Sequence, residues 1–260
     1  MNDYPGVITP ADHVEPVPRR IRAVLAGTTV LDTARALYVW EVPSYPQYYV
    51  PLADVRDEVL VPDGHTQQSS RGPVEVHSVR AGDVVRPGAA KVLRESRIAA
   101  LRDTVRFDWK ALDAWFEEDE HVFVHPRNPY VRVDALRSTR QLRVELEGVV
   151  LADSAAPVLV FETGLPTRYY VDRTCIDLAH LVPTDTVTAC PYKGTTSQYW
   201  SAHVGGSVHR DIAWAYDFPT RELLPIAGMV AFYNERADIV VDGRRLQRPT
   251  THFSPPRRVS

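Results

Sequence analysis

Laid over itself at an offset of 121 residues, the chain meets its own sequence again. Arg22, Leu25, Gly27, Asp32, Ala34, Val39, Glu41, Tyr48-Tyr49-Val50 and Leu60-Val61-Pro62 recur in order. Their partners are Arg143, Leu146, Gly148, Asp153, Ala155, Val160, Glu162, Tyr169-Tyr170-Val171 and Leu181-Val182-Pro183. Trp40 and Phe161 match in kind. Two tripeptides in ungapped register do not arise by chance, and solenoid repeats run only to ~20–50 residues. The repeat is therefore a duplicated domain. A functional residue present in one copy and missing from the other is informative in itself.

Two copies in 260 residues leave modules of ordinary domain size. A hydrophobic content of 44% supports a packed core in each. A net charge of −3 offers no broad basic field, so nucleic acid is not an expected partner. The apolar runs fall short of a membrane span, so no membrane is expected. The opening residues lack the basic and apolar regions of a signal peptide. Two cysteines, Cys175 and Cys190, cannot staple two domains, which points to the cytoplasm. The expected state is a monomer or weak dimer. Only three of the 30 basic residues are lysines, Lys91, Lys110 and Lys193, so a lysine inside a motif draws attention.

Residues 1–18, with four prolines, read as a flexible or draped arm. Residues 19–138 form copy one, 139–247 copy two, and 248–260 a disordered tail, with the boundary near 137–140. Short β-rich runs broken by Gly, Pro and Asp predict an all-β fold, mainly antiparallel, with minor short helices. The copies are expected to be related by approximate pseudo-symmetry. Residues 52–60 and 174–181 each read as a short helical turn or an irregular crossover. Gly205-Gly206 predicts a type I′ hairpin that sets His203 opposite Val208 and Trp200 opposite Asp211. Copy one carries one predicted addition, a helix over 108–116 capped by Asp108, with Leu112, Trp115 and Phe116 on one stripe. A strand over 121–125 follows it.

The copies diverge most at one place. Copy two has Thr-Ala-Cys-Pro-Tyr-Lys-Gly-Thr-Thr at 188–196, where copy one has Gln-Gln-Ser-Ser-Arg-Gly-Pro at 67–73. Copy one has lost the Cys, Tyr and Lys but keeps a basic residue, Arg71, before glycine. Further on, copy two has Asp-Ile-Ala-Trp-Ala-Tyr at 211–216, against Ala-Lys-Val-Leu-Arg-Glu at 90–95.

Glu162, Tyr170, Cys-Pro-Tyr-Lys-Gly at 190–194, Tyr199-Trp200, Ala213-Trp214 with Tyr216, Ala227-Gly228 and Phe232-Tyr233 together resemble a bacterial family. It is the one known as domain of unknown function 427. The match runs through residues 141–245, and copy one resembles a divergent member. The resemblance implies a β-tent-like fold, two small antiparallel sheets pinned at one edge, and implies no established activity. Relatives of that fold commonly pin the sheets with a zinc held by two Cys-x-x-Cys pairs. This chain has no such pair, so no metal or other cofactor is expected and hydrophobic packing must do the pinning. The family also carries a nucleotidyltransferase label. That chemistry needs neighbouring carboxylates for Mg²⁺ and a phosphate-cradling glycine loop, and neither motif occurs here. The run Glu117-Glu118-Asp119-Glu120 reads as a solvated face.

Each candidate residue has two readings. Cys190 is a nucleophile or a small buried hydrophobe. Lys193 binds an anionic group or forms a salt bridge to Glu162 or Asp211. Glu162 is an acid–base group or, because Glu41 repeats it, a shared structural partner. Trp200, Trp214, Tyr192, Tyr199 and Tyr216 wall a small-molecule pocket or pack a β core. The paired tyrosines, Tyr170 among them, read as one core and one edge residue per copy. His121 with His125, and His203 with His209, stand too far apart or face opposite ways to chelate one ion.

Three function classes follow. The first is a pocket in copy two for a small polar or anionic ligand, either binding alone or enzymatic. Its expected wall is Tyr170, Tyr192, Lys193, Trp200, Trp214 and Tyr216, with Cys190, Lys193 and Glu162 as candidate catalytic groups and copy one as scaffold. The second is a protein or peptide interaction module with an exposed aromatic slot. The third is nucleotidyl transfer, held only through the family label.

Overall fold

The computed structural model describes residues 4–254. Close contacts divide it into two units: Ile8–Asn128, and the described residues from 129 onward together with 4–7. They contain copy one and copy two respectively. No helix among the described residues is long and apolar enough to cross a membrane.

Copy one folds into strands β1 (Val14–Pro16), β2 (Ile21–Leu25), β3 (Thr28–Thr33), β4 (Leu37–Val42), β5 (Tyr45–Pro51), β6 (Leu60–Ser69), β7 (Gly72–Ala81), β8 (Val84–Leu93), β9 (Thr104–Phe107), β10 (Ala114–Glu117) and β11 (Glu120–Val122). A seven-stranded sheet runs β1-β4-β5-β9-β8-β7-β6, and a four-stranded sheet runs β11-β10-β2-β3. All pairings are antiparallel.

Copy two repeats the plan with β12 (Val133–Arg137), β13 (Leu142–Leu146), β14 (Val149–Ser154), β15 (Val158–Glu162), β16 (Arg168–Val171), β17 (Leu181–Thr184), β18 (Ala189–Cys190), β19 (Gly194–Thr195), β20 (Gln198–Val204), β21 (Ser207–Ala215), β22 (Val230–Phe232), β23 (Asp238–Val241) and β24 (Arg244–Arg245). Its sheets run β12-β15-β16-β22-β21-β20-β17 and β14-β13-β23-β24, with β18-β19 as a small ribbon. The duplication read from the sequence is thus a duplication of topology.

Strand alternation decides what each sheet face carries. In copy two, Trp200, Ala213, Ala215 and Val171 join Leu142, Val144 and Ile239 in the main core cluster. Their sequence neighbours Tyr199, Trp214, Tyr216 and Tyr170 belong to a second cluster with Leu223 and Ile226. Copy one has the same division, but its second cluster is the smaller set Val39, Tyr49, Val74, Leu93 and Leu101. Tyr199 of copy two stands where copy one has Val76, and Trp214 where it has Lys91.

The helix expected over 108–116 is a 3₁₀ turn, Trp109–Ala111, followed by the strand β10. Its apolar spacing fits helix and strand equally, and sheet pairing decides between them. Trp115 and Glu117 point inward while Phe116 points out, and the strand hydrogen-bonds to β2. Asp108 makes no cap bond and pairs with Arg106 instead. The element is no addition either, because β23 pairs with β13 as β10 pairs with β2. The strand after it is β11, shorter than 121–125, and Val124 beyond it sits at a positive φ of 67°.

The hairpin forms as read, with Gly205 and Gly206 at φ 57° and 79° and His203 opposite Val208. Trp200, however, faces Ala213 and not Asp211. A bulge displaces the register there: Asp211 takes φ 48°, and its amide donates to Ser201 Oγ at 3.1 Å.

Three further expectations change. β12 pairs with β15, so the switch between units precedes residues 137–140. Residues 8–18 are no loose arm: β1 lies along β4, and Asp12 is paired with Arg71 and Arg97. The tail is ordered through Ser254, since Arg248 donates to Asp238 at 2.8 Å and Thr251 Oγ1 to Glu235 at 2.6 Å. Residues 1–3 of the arm and 255–260 of the tail lie outside the described residues. Tyr48 and Tyr49 are both buried, whereas in copy two only Tyr170 is; Tyr169 is half-buried.

Candidate functional site

One row of cross-strand neighbours runs over the large sheet of copy two: Tyr199 opposite Trp214, Trp214 opposite Ala231, Ala231 opposite Tyr170. Ala231 is the small member, and across it the Trp214 indole N–H donates to the Tyr170 hydroxyl at 3.2 Å. The matching row of copy one is Val76, Lys91 and Arg106. Arg106 therefore stands where copy two has a methyl group. It reaches Asp108 and approaches within 3.8 Å of Glu41.

The space left over this row in copy two is a cavity of about 180 Å³. Lys193 and Glu162 lie at one end, and Cys190 and Thr188 on the β18 side. The indole and phenol rings of Trp214, Tyr199, Tyr216 and Tyr233 line the cavity, and Phe253 bounds it from the tail.

Lys193 is delivered by the tight turn between β18 and β19. Thr220 holds that turn, its amide donating to the Lys193 carbonyl at 3.1 Å and its hydroxyl to the Tyr192 carbonyl at 2.6 Å. Gly194 follows at φ 93°, a conformation that side chains resist. The ammonium is buried, donates to Glu162 and lies 3.9 Å from Cys190 Sγ. Burial pulls its pKa down, but the interactions with neighbouring Cys190, Glu162 and Tyr170 outweigh that pull and hold it above the usual lysine value. Lys193 is therefore a charged donor and not a base.

The Tyr170, Tyr216 and Tyr233 phenols are held neutral. Burial pushes Tyr170 up to about 12 against the pull of Lys193, and raises Tyr216 and Tyr233. Tyr199 links the wall, its hydroxyl 2.9 Å from Thr188 Oγ1 and 3.3 Å from the Tyr233 hydroxyl.

Beneath the cavity, Arg168 makes a two-pronged pair with Glu235 at 2.6 and 2.7 Å, both side chains buried, and also donates to Asn234. Its guanidinium lies 5.8 Å from the Trp214 ring centre, 5.6 Å from Tyr233 and 5.5 Å from Phe253. Burial works to raise Glu235, but the Arg168 hydrogen bond and charge prevail and lower it.

Glu162, Cys190, Lys193, Trp214 and Tyr216 come together here, with Tyr170 under the floor. Trp200 does not join them. It lies on the opposite sheet face in the main core, with Arg173 5.7 Å over its ring. Tyr192 contributes a carbonyl to the turn and is not part of the cavity wall. Of the two partners considered for Lys193, Glu162 is the one found, while Asp211 is held by Thr184 and Thr186. Arg168, Tyr233 and Phe253 are not among the residues expected in the wall, although Tyr233 belongs to the set that carries the family resemblance. Arg168 had a sequence signal, since it precedes Tyr-Tyr-Val where copy one has Gln47.

The fold and site define a duplicated, two-sheet antiparallel β protein whose second copy carries an aromatic cavity closed by a buried ion pair. The chain belongs to the family described as Domain of unknown function (DUF427), which matches residues 13–118 and again 134–243. No curated protein matches it.

Proposed function

We propose that copy two binds a small polar or anionic molecule in the cavity above Trp214 and that copy one serves as its scaffold. The observation that carries this reading is the exchange of Arg106 for Ala231. The same row of the sheet is filled by a long cation in copy one and open in copy two. A lysine ammonium has three donors. Glu162 takes one, so a ligand oxygen can share the charge while its apolar body lies against the rings. Ligand sites combine apolar walls with few polar groups in this way.

Three observations weigh against the alternatives. Trp200 and Trp214 are only 8% and 6% exposed, so they present no aromatic slot to a peptide. A cavity of about 180 Å³ is small for a nucleoside triphosphate, given that ligand pockets run to ~300–1,000 Å³. Among the described residues no group of three His, Cys, Asp or Glu is placed to hold a metal.

The test is a thermal-shift screen against small carboxylic and carbonyl metabolites, repeated with Cys190 alkylation by iodoacetamide. A true ligand stabilises the protein and slows alkylation of Cys190, and Trp214→Leu abolishes both effects. A compound set that stabilises wild type and Trp214→Leu alike would remove the cavity from consideration.

A further inference from the structure

The larger cavity of copy two, about 510 Å³, lies elsewhere, between the four-stranded sheet and the segment that follows it. Three arginines line it, Arg244, Arg245 and Arg248, together with Tyr4 and Tyr169, and no acidic side chain stands in its lining among the described residues. The arginines are not equivalent. Arg245 is held by Asp238 and by Glu145 at 2.6 Å, and Arg248 by Asp238 at 2.8 Å. Arg244 is exposed and forms no ion pair among the described residues. Two carboxylates thus orient two guanidiniums and leave the three arginines with a surplus positive charge.

Copy one has nothing comparable. Through the pairing of β11 with β10 and of β24 with β23, Arg244 and Arg245 correspond to Glu120 and His121. Tyr169 corresponds to Tyr48, which is buried and donates to Glu117. The acid at the edge has become a base, and the tyrosine has been uncovered.

We propose that this cleft is a second site, distinct from the cavity above Trp214, for a phosphorylated small molecule. Guanidinium forks match the paired oxygens of a phosphate. The tyrosines offer faces to a ring carried by the same molecule, and the volume lies within the range of ligand pockets.

Calorimetric titration with inorganic phosphate, pyrophosphate and phenyl phosphate at low salt tests this. Phenyl phosphate is expected to bind more tightly than inorganic phosphate, and Arg244→Glu to weaken it at least tenfold with an unchanged melting temperature. Because Arg244 is exposed, that variant folds. Trp214→Leu should leave the titration as it is, which separates this site from the first. Absence of heat with all three anions, or a titration indifferent to Arg244→Glu, overturns the proposal. So does equal affinity for inorganic and phenyl phosphate, which marks a general charge effect.

Discussion

Copy one and copy two share an ion pair but not its surroundings. Glu41 meets Arg71 at 3.3 Å, and Glu162 meets Lys193, with both basic residues presented just before a positive-φ glycine. In copy one the carboxylate is shared: Tyr49 donates to it at 2.7 Å, and Arg106 approaches from β9. In copy two, Tyr170 has turned to accept from Trp214 and position 231 is alanine, so the pair faces open space. The comparison separates what holds the fold from what makes the cavity. The charge pair is common to both. The cavity comes from one small residue and the aromatics around it.

The largest expected effect falls at Arg168 and Glu235, a buried pair whose arginine is replaced by Gln47 in copy one. Removing one partner of a buried pair costs about 3–5 kcal/mol, because the other charge stays buried and unpaired. Arg168→Leu should therefore lower stability by about that much. Gln47→Leu, at the matching place in copy one, should stay within about 0.5 kcal/mol. Urea unfolding followed by tryptophan fluorescence measures both. Equal losses would mean that position 47 is a hidden support of copy one. Because Glu235 is held below its usual value, the pair contributes stability above the ordinary glutamate range and loses it as pH falls through the lowered value. Wild type should accordingly lose its advantage over Arg168→Leu in acid.

The second effect is smaller and bears directly on the shared pair. Lys193→Met should cost about 3 kcal/mol, since both side chains are only 9% exposed. Arg71→Met should cost about 1 kcal/mol, as Glu41 is more exposed and keeps Tyr49 as a donor. The double variant Glu162→Gln with Lys193→Met should recover part of the loss, because it buries no charge. Lysine here is held above its usual value, so the contribution persists through neutral pH and disappears only as pH rises beyond the ordinary lysine range. If Arg71→Met proves as costly as Lys193→Met, the two pairs are energetically alike and only the cavity distinguishes the copies.

Much of this contrast was legible in the chain. The 121-residue offset announced two equivalent folds, and the loss of Cys-Pro-Tyr-Lys-Gly from copy one pointed to the segment that carries Lys193. Other features required the sheet. Trp200 and Trp214 look alike in sequence, and the pairing of β20 with β21 together with strand alternation puts one in the core and the other on the cavity floor. Residues 108–116 carry an apolar spacing that fits helix and strand equally, and the choice was made by β2, ninety or more residues earlier in the chain. The equivalence of Arg106 and Ala231 is invisible without register, because the copies no longer align at a constant offset there. Phe253 lies beyond the repeat altogether, where periodicity is silent.

That last residue gives the smallest expected effect and the finest distinction between the copies. The family match ends at residue 243, and the segment after it returns across copy two to place Phe253 5.4 Å from Tyr233 and over Arg168. Its ring is 37% exposed, and beyond the Arg248–Asp238 pair the segment is fastened by the hydroxyl of Thr251 on Glu235. A cation–π contact at so open a site is worth about 0.5–1 kcal/mol, so Phe253→Ala should barely move the unfolding midpoint. The same ring is one wall of the cavity that holds Cys190. Its loss should therefore quicken alkylation of Cys190 several-fold while Cys175, packed against the main core, reacts as before. A change in stability without a change in labelling would make the segment simple packing. Faster labelling at nearly constant stability would make it a cover on copy two, one the domain repeat does not supply.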